Sequence, residues 1–159
     1  MKFRIGFGFD VHPLGEEREL WLGGIRLKFE KGCVGHSDAD VLLHAICDAL
    51  LGAANLRDIG FHFPNTDERY RGADSKVLLK EVMRLLAEQN YKVGNIDATL
   101  SLEAPKINPH ITAMQEAIAP ILGVSVNEVS IKATTNEKLG YVGRGEGVNA
   151  YAVALIYKD

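Results

Sequence analysis

An alternating apolar run, Phe3-Arg4-Ile5-Gly6-Phe7-Gly8-Phe9, stops on Asp10-Val11-His12, and about thirty residues later His36-Ser37-Asp38-Ala39-Asp40 leads into His44. Alternation marks a strand, and residues two apart on a strand face the same way, so Asp10 and His12 share a side. His44 falls on an amphipathic helix, for which Ser37 and Asp40 read as an N-cap and capping box. For one ion to be held by this carboxylate and these two imidazoles, the strand end must lie beside the helix start. Three N/O ligands with a fourth position free is the arrangement of catalytic zinc, and the lack of cysteine in the set argues against a closed structural site. The plainer alternative makes Asp10 a turn cap, His12 a loop histidine and His44 a packed helix residue.

A chain of 159 residues, 47% of them apolar, supports one core but not two comfortable domains, so a single domain over residues 1–159 is expected. The net charge of -3 excludes a general basic surface, and with it a nucleic-acid partner; a phosphate ligand would need local cations. Cys33 and Cys47 have neither metal nor redox spacing, which suits reduced thiols in a cytoplasmic protein. There is no signal-peptide or transit pattern and no apolar stretch of membrane-spanning length, so no membrane partner is expected.

Glu19 to Leu22 and Ile25 to Leu27 flank Gly23-Gly24, a two-residue hairpin signal, and the ribbon is expected to extend the first strand. The first helix is expected from Asp38 to Gly52, with Asp40, His44 and Asp48 on one acidic stripe. Asp48, one turn beyond His44, is placed to orient that imidazole from outside, or else belongs to a simple surface stripe. Arg57 to Gly72 reads as a long polar loop, a frequent carrier of function. Asp74 or Ser75 then caps a second helix reaching Gln89, and Val93 to Leu102 alternates as a strand. Asn108-Pro109 opens a third helix that Gly123 closes, and Val129 to Thr134 and Val148 to Tyr157 add two strands. This order, β-β-β-α-α-β-α-β-β, predicts an α+β fold with helices on one face of a mixed sheet.

Ala104-Pro105-Lys106 follows a strand, and Lys132 to Lys138 ends another before a short helical turn. Such turns offer N–H groups, hydroxyls and a cation to an anion. Glu137, a hard oxygen donor beside such a site, suits a Mg2+ ion bridging phosphates. Either segment taken alone reads equally as ordinary strand-end capping.

Taken together, Gly8 to His12, His36 to Ala45, Asp48 to Ala54, Asp58 to Gly60, Phe63-Pro64, Gly72 to Ser75, Ala104 to Lys106, Lys132 to Thr135 and Gly143 to Gly147 closely resemble the motifs of the 2-C-methyl-D-erythritol 2,4-cyclodiphosphate synthases, in the same order. The resemblance runs from Ile5 to about Ile156. It implies a homotrimer of α+β, ferredoxin-like subunits with active sites between neighbours, acting in the non-mevalonate route to isoprenoid precursors. The implied reaction converts 4-diphosphocytidyl-2-C-methyl-D-erythritol 2-phosphate to the 2,4-cyclodiphosphate with release of CMP.

Carried over by position, Asp10, His12 and His44 would hold one Zn2+ per active site, and Glu137 a second divalent cation, Mg2+ or Mn2+. His36 and Thr135 match transition-state positions, with Ser37 beside His36. Asp58, Ile59 and Gly60, and the loop of Phe63, Pro64, Asn65, Thr66 and Asp67, would meet the methylerythritol part. Leu102, Ala104, Pro105, Lys106, Ile107 and Asn108, facing Ala133, Thr134 and Asn136, would line a cytidine diphosphate pocket that draws on a neighbouring subunit. Tyr141 and Arg144 match ligand-contacting positions, and Arg144 and Glu146 match residues near a central cavity that can hold an isoprenoid diphosphate.

Asn65 stands where many relatives carry Asp, and Asn136 where Thr is frequent. His62 and His110 are expected in exposed or capping roles. The Gly143 to Gly147 run precedes a strand, which excludes a dinucleotide fingerprint. Two other readings of the chain are a 2-His-1-carboxylate Fe(II) oxygenase, which usually needs a β-barrel, and a non-catalytic trimer binding nucleotide or isoprenoid diphosphate. A third makes it half of a fusion with the preceding cytidylyltransferase; a stand-alone synthase is the simpler expectation.

Overall fold

The computed structural model describes residues 2–159. The long strand β1 (Lys2–Glu16) is followed by a ribbon of β2 (Leu20–Leu22) and β3 (Ile25–Leu27), then β4 (Lys31–Cys33). Next come α1 (Val41–Ala53), the short α2 (Ile59–His62), α3 (Ser75–Glu88) and β5 (Lys92–Ser101). α4 (Ile111–Leu122), β6 (Val129–Thr134), the single turn α5 (Gly140–Gly143) and β7 (Gly147–Lys158) complete the chain. The main sheet runs β4-β1-β7-β5-β6. Only β5 and β6 are parallel, and α4 makes the crossover between them; the other pairs are antiparallel. The expected α+β architecture is therefore what forms, as an open mixed sheet rather than a barrel.

The alternation of β1 decides its two faces. Gly6, Gly8, Asp10 and His12 point toward the helices, while Phe3, Ile5, Phe7, Phe9 and Val11 are exposed on the other side. β7 repeats the scheme, with Ala150, Ala152 and Ala154 buried under the helices and Tyr151 and Val153 exposed. Small residues in the centre of both strands let α1 settle directly on the sheet. A Cβ at Gly6 would stand 1.8 Å from the Ala49 carbonyl oxygen, and one at Gly8 would stand 1.9 Å from that of Ala45. Leu42, Leu43, Ile46, Leu50 and Leu51 fill the space around this contact with Leu79, Leu86, Ile96 and Leu100.

The ribbon departs from expectation. Gly23 and Gly24 do form the hairpin turn, with φ of 62° and 79°, but β2 and β3 make a separate two-stranded sheet, and β4 is what pairs with the end of β1. The reason is Asp40, fully buried. It is the N-cap of α1 in place of Ser37, its side chain accepting from the Leu43 N–H, and it also accepts the N–H groups of Gly23 (3.0 Å) and Gly24 (2.7 Å). One carboxylate thus pins the ribbon to the helix start, and α1 begins at Val41 rather than Asp38. Burial raises the Asp40 pKa against the pull of those N–H donors. Asp74 caps α3 as expected, accepting from the Lys76 N–H, and Gly123 closes α4 in the left-handed region, but Asn108-Pro109 opens a separate 3-10 turn and α4 begins only at Ile111, with His110 at its N-cap. Inside the long loop, α2 and a 3-10 turn over Glu68–Tyr70 form without any sustained apolar period to announce them.

Because the atoms a Gly8 side chain would strike are backbone, α1 itself must move. Gly8→Ala is expected to cost upwards of about 3 kcal/mol in urea denaturation and to weaken divalent-ion binding, since α1 carries His44.

Candidate active site

β1 presents Asp10 and His12 on its helix-facing side, and α1 brings His44 to them one turn after its cap. Asp10 Oδ2 lies 3.0 Å from His12 Nε2 and 3.0 Å from His44 Nδ1, and the two imidazole nitrogens are 3.2 Å apart. Among the described residues these three form the group able to hold a metal ion, with donor atoms all within 4.8 Å of one another.

The outer nitrogens settle the tautomers. His12 Nδ1 is 3.0 Å from the Val34 carbonyl oxygen, which can only accept, so Nδ1 carries a hydrogen and Nε2 faces the cluster. His44 Nε2 is 2.9 Å from Ser75 Oγ, which itself donates to Asp38 (2.5 Å), leaving Nδ1 of His44 to face Asp10. Without an ion these inner nitrogens donate to the Asp10 carboxylate, and with one bound both would present a lone pair to it at one point. This donor set fits a divalent ion with room for a further ligand.

Electrostatics agree. Burial alone would raise the Asp10 pKa, but hydrogen bonds and charge from His12 and His44 overcome it and hold the carboxyl down at about 2. Burial alone would lower His12, and the Asp10 carboxylate reverses that, raising it above 6.5.

Asp48 does not orient His44. Its Oδ1 accepts the Ile59 N–H at 2.7 Å and so fixes the start of α2, because the helix stripe bearing Asp40, His44 and Asp48 faces inward and each member meets a different partner. The groups touching the outer nitrogen of His44 are Ser75 and, at 3.2 Å, Ser37. Asp38 and Ser75 went unrecognised as a pair because 37 residues separate them and no local pattern links them.

A cavity of about 370 Å³ opens over the cluster, lined by His36 and Ser37 and walled by Ile59, Gly60, Phe63 and Asn65. Asp58 is exposed at the N-cap of α2 without a side-chain bond. Pro64, Thr66 and Asp67 continue the same loop, and the Asp67 carbonyl oxygen lies 3.2 Å from His36 Nε2. A second cavity, about 430 Å³, is lined by Leu102, Pro105, Lys106, Ile107 and Asn108 from beyond β5 and by Ala133, Thr134 and Thr135 at the end of β6. Ala104, between Glu103 and Pro105 in the chain, does not itself line this cavity.

Beyond Thr135 the chain turns through positive φ at Glu137 (51°) and Lys138 (62°). Glu103, inside the Leu102 to Asn108 stretch, accepts the N–H groups of Asn136 (2.9 Å) and Lys138 (3.2 Å) and so braces this turn. Ser101 Oγ donates to the Asn136 side chain, and Thr135 Oγ1 lies 3.3 Å from Glu137 Oε1. Tyr141 and Arg144 line neither cavity: Tyr141 donates to Asn149 at 2.5 Å, and Arg144 pairs with Glu146 at 2.8 Å. His62 is occupied by the Leu56 carbonyl oxygen at 2.7 Å, and His110 ends a 3-10 turn before α4. Cys33 and Cys47 are buried and unpaired, and burial pushes both thiols up.

The two cavities do not meet within the chain. Asp10 pairs with Ala150, Ala150 with Leu100 and Leu100 with Ala133, one continuous row across the sheet. Three strand spacings, about 14 Å, therefore separate the metal group from the wall of the second cavity.

Fold and site define a class, an α+β protein with a His2Asp group able to hold a metal ion beside a loop-walled cavity and a second, separate pocket at the opposite sheet edge. The chain belongs to the YgbB family, which it matches over residues 3–157. A Cytophaga hutchinsonii protein named 2-C-methyl-D-erythritol 2,4-cyclodiphosphate synthase is 66% identical over 158 residues, 99% of each chain. A solved synthase of that name in a CDP-bound form superposes with a TM-score of 0.89 at 38% identity, covering 97% of this chain and 100% of that one. The bifunctional IspDF of Campylobacter jejuni superposes with a TM-score of 0.95 at 39% identity, covering 99% of this chain, which spans 43% of that longer protein. Among the described residues no helix is long and apolar enough to cross a membrane.

The pKa shifts set two pH windows. Stability contributed by Asp10 is complete above 3.8 and is lost as pH falls toward about 2. That contributed by His12 is complete below 6.5 and is lost as pH rises through its raised value. An incoming cation must displace the His12 proton, so affinity for a divalent ion should already decline at pH values above 6.5 as acid is added. Chelator-competition titrations from about pH 6 to about pH 8 should show this slope, and a flat profile would contradict the pairing of His12 with Asp10.

Proposed function

We infer that this chain carries out the reaction its relatives are named for, closing 4-diphosphocytidyl-2-C-methyl-D-erythritol 2-phosphate into 2-C-methyl-D-erythritol 2,4-cyclodiphosphate with release of CMP. The observation that carries this reading is the convergence of Asp10, His12 and His44 on one point at the floor of a cavity, in a chain so close in sequence to named synthases. An oxygen of the 2-phosphate attacks the β-phosphorus, the bond from that phosphorus to the oxygen bridging it to the α-phosphorus breaks, and the departing oxygen leaves with CMP. No side-chain nucleophile is needed.

The obstacle is repulsion between two anions. Asp10, His12 and His44 would hold Zn2+, and Glu137 Mg2+ or Mn2+, and such ions would supply cationic charge against the repulsion between the phosphates and the charge that builds on CMP. The chain's own groups do the rest. His36 and Ser37 stand at the cavity wall to receive the 2-phosphate, and Ile59, Phe63 and the loop through Asn65 exclude water, whose attack would give hydrolysis instead. Lys106 and the Ala133 to Thr135 edge take the cytidine diphosphate, with Thr135 and Asn136 beside the braced turn.

The two separated cavities support a homotrimer with active sites between neighbours. The metal group sits toward one edge of the sheet and the nucleotide wall at the other, so in such an assembly a neighbouring copy would bring its own wall to each site. The exposed row of Ile5, Phe7 and Val153 provides an apolar surface for that neighbour, larger than single scattered residues would make. We place the pair Arg144 and Glu146 near the central cavity, facing an isoprenoid diphosphate, and the enzyme in the cytoplasm, where its thiols stay reduced.

Phosphorus NMR with substrate and Mg2+ should show CMP and the cyclic diphosphate, with signals lost in chelator-treated protein and at least about a thousandfold slower formation by His44→Ala. Wild-type protein that binds CDP without turnover would leave a binding protein in its place. Sedimentation should give three times the 17.4 kDa chain mass, and Ile5→Glu should abolish trimer and turnover together while the chain stays folded.

A further inference from the structure

Behind the Asp10–His12–His44 group runs a hydrogen-bonded chain of three side chains: His44, Ser75 and Asp38. Ser75 is fully buried at the first position of α3, and Asp38 belongs to the segment entering α1. Asp38 holds Ser75 twice, accepting its backbone N–H at 2.9 Å and its hydroxyl at 2.5 Å. With its only hydrogen given to a carboxylate, Ser75 Oγ can only accept from His44 Nε2 at 2.9 Å. Ser37 Oγ is also within 3.2 Å of that nitrogen, but it already accepts the Ala39 N–H at 3.1 Å and its hydroxyl hydrogen is not committed, so it does not dictate a direction.

We propose that Ser75 and Asp38 are positioning residues that lock His44 in the Nε2–H tautomer and so set the affinity of the Asp10–His12–His44 group for its divalent ion. The relay also ties the ion to the loop that walls the cavity. The Asp38 N–H donates to the Ala73 carbonyl oxygen (3.0 Å), and the Gly72 N–H to that of His36 (2.8 Å), so the last residues of the loop and the start of α3 are held to the segment carrying His36 and Asp38. Loss of the relay loosens the seat of His44 and the end of that loop at once. This proposal rests on Asp10, His12 and His44 being the metal ligands.

Asp38→Asn is the sharpest probe because it keeps shape and reverses hydrogen-bond direction. An amide NH2 toward Ser75 Oγ frees the serine hydroxyl to donate to His44 Nε2, which puts the imidazole hydrogen on Nδ1, where it blocks coordination. The same logic makes an orienting carboxylate essential to a catalytic histidine elsewhere. Zn2+ affinity, measured by chelator competition, is expected to fall about 10- to 100-fold in Ser75→Ala and at least as far in Asp38→Asn. The double variant should be little worse than Asp38→Asn alone, because the two act as one unit. Ser37→Ala is expected to stay within about threefold of wild type.

Nitrogen-15 correlation spectra of the metal-free protein give a readout that a purely structural role would not move. Wild type should show a hydrogen held on His44 Nε2, and Asp38→Asn its loss from Nε2, leaving Nδ1–H alone facing Asp10. If His44→Ala binds Zn2+ as wild type does, the ligand assignment itself is wrong. If His44→Ala loses binding while Ser75→Ala and Asp38→Asn keep wild-type affinity and tautomer, the relay is overturned. Should Ser75→Ala fail to fold, the nearly isosteric Asp38→Asn carries the test alone.

Discussion

Everything about the site depends on how closely α1 lies against β1. The backbone of the helix fits over two glycines with no side chain between, and the alanines of β7 extend the same shallow bed. That approach is what sets His44 within hydrogen-bond distance of Asp10. A helix resting on ordinary side chains would stand off the sheet by several ångströms, and a carboxylate at the strand end and an imidazole on the helix would then be too far apart for one ion. Packing here is a positional device as much as a source of stability.

Polar residues along α1 complete the arrangement by facing inward at successive turns. Asp40 holds the Gly23-Gly24 ribbon, His44 meets Asp10 and Ser75, and Asp48 fixes the N-terminus of α2. Each is satisfied by a different piece of chain, so the helix gathers ribbon, strand, loop and α3 around a single stripe. Burying carboxylates is costly unless hydrogen-bond donors replace the lost water, and every one of these has such donors. The same rule explains Glu103, whose carboxylate takes two backbone N–H groups that a turn through positive φ would otherwise leave open.

The sheet's other face makes a different point. Phe3, Ile5 and Phe7 lie uncovered on a molecule whose two cavities sit at opposite edges of the row joining Asp10 to Ala133. An exposed apolar face and an incomplete site answer one another, since a second copy that covers the first can also complete the second. This supports the proposed assembly of several copies of the chain around shared sites.

Local pattern was enough to place most of the elements. The alternation through Phe9 to His12, the caps at Asp74 and Gly123, and the strand Val129 to Thr134 were legible because each rests on neighbours within a few residues. Motif order likewise marked the segments that line the two cavities. What sequence could not decide was the partner of each polar side chain. From sequence, Ser37 reads as the cap that Asp40 in fact supplies, the glycine ribbon as an extension of β1, and Asp48 as an orienting group for His44 or part of a surface stripe. Those outcomes turned on carboxylates reaching N–H groups and hydroxyls tens of residues away, among them Asp40 to Gly23, Asp38 to Ser75 and Glu103 to Lys138. Sequence by itself determined the elements and the donor types, because those follow from periodicity and residue chemistry. Only the tertiary structure decided which donor meets which acceptor, because that is set by how closely the helices settle on the sheet.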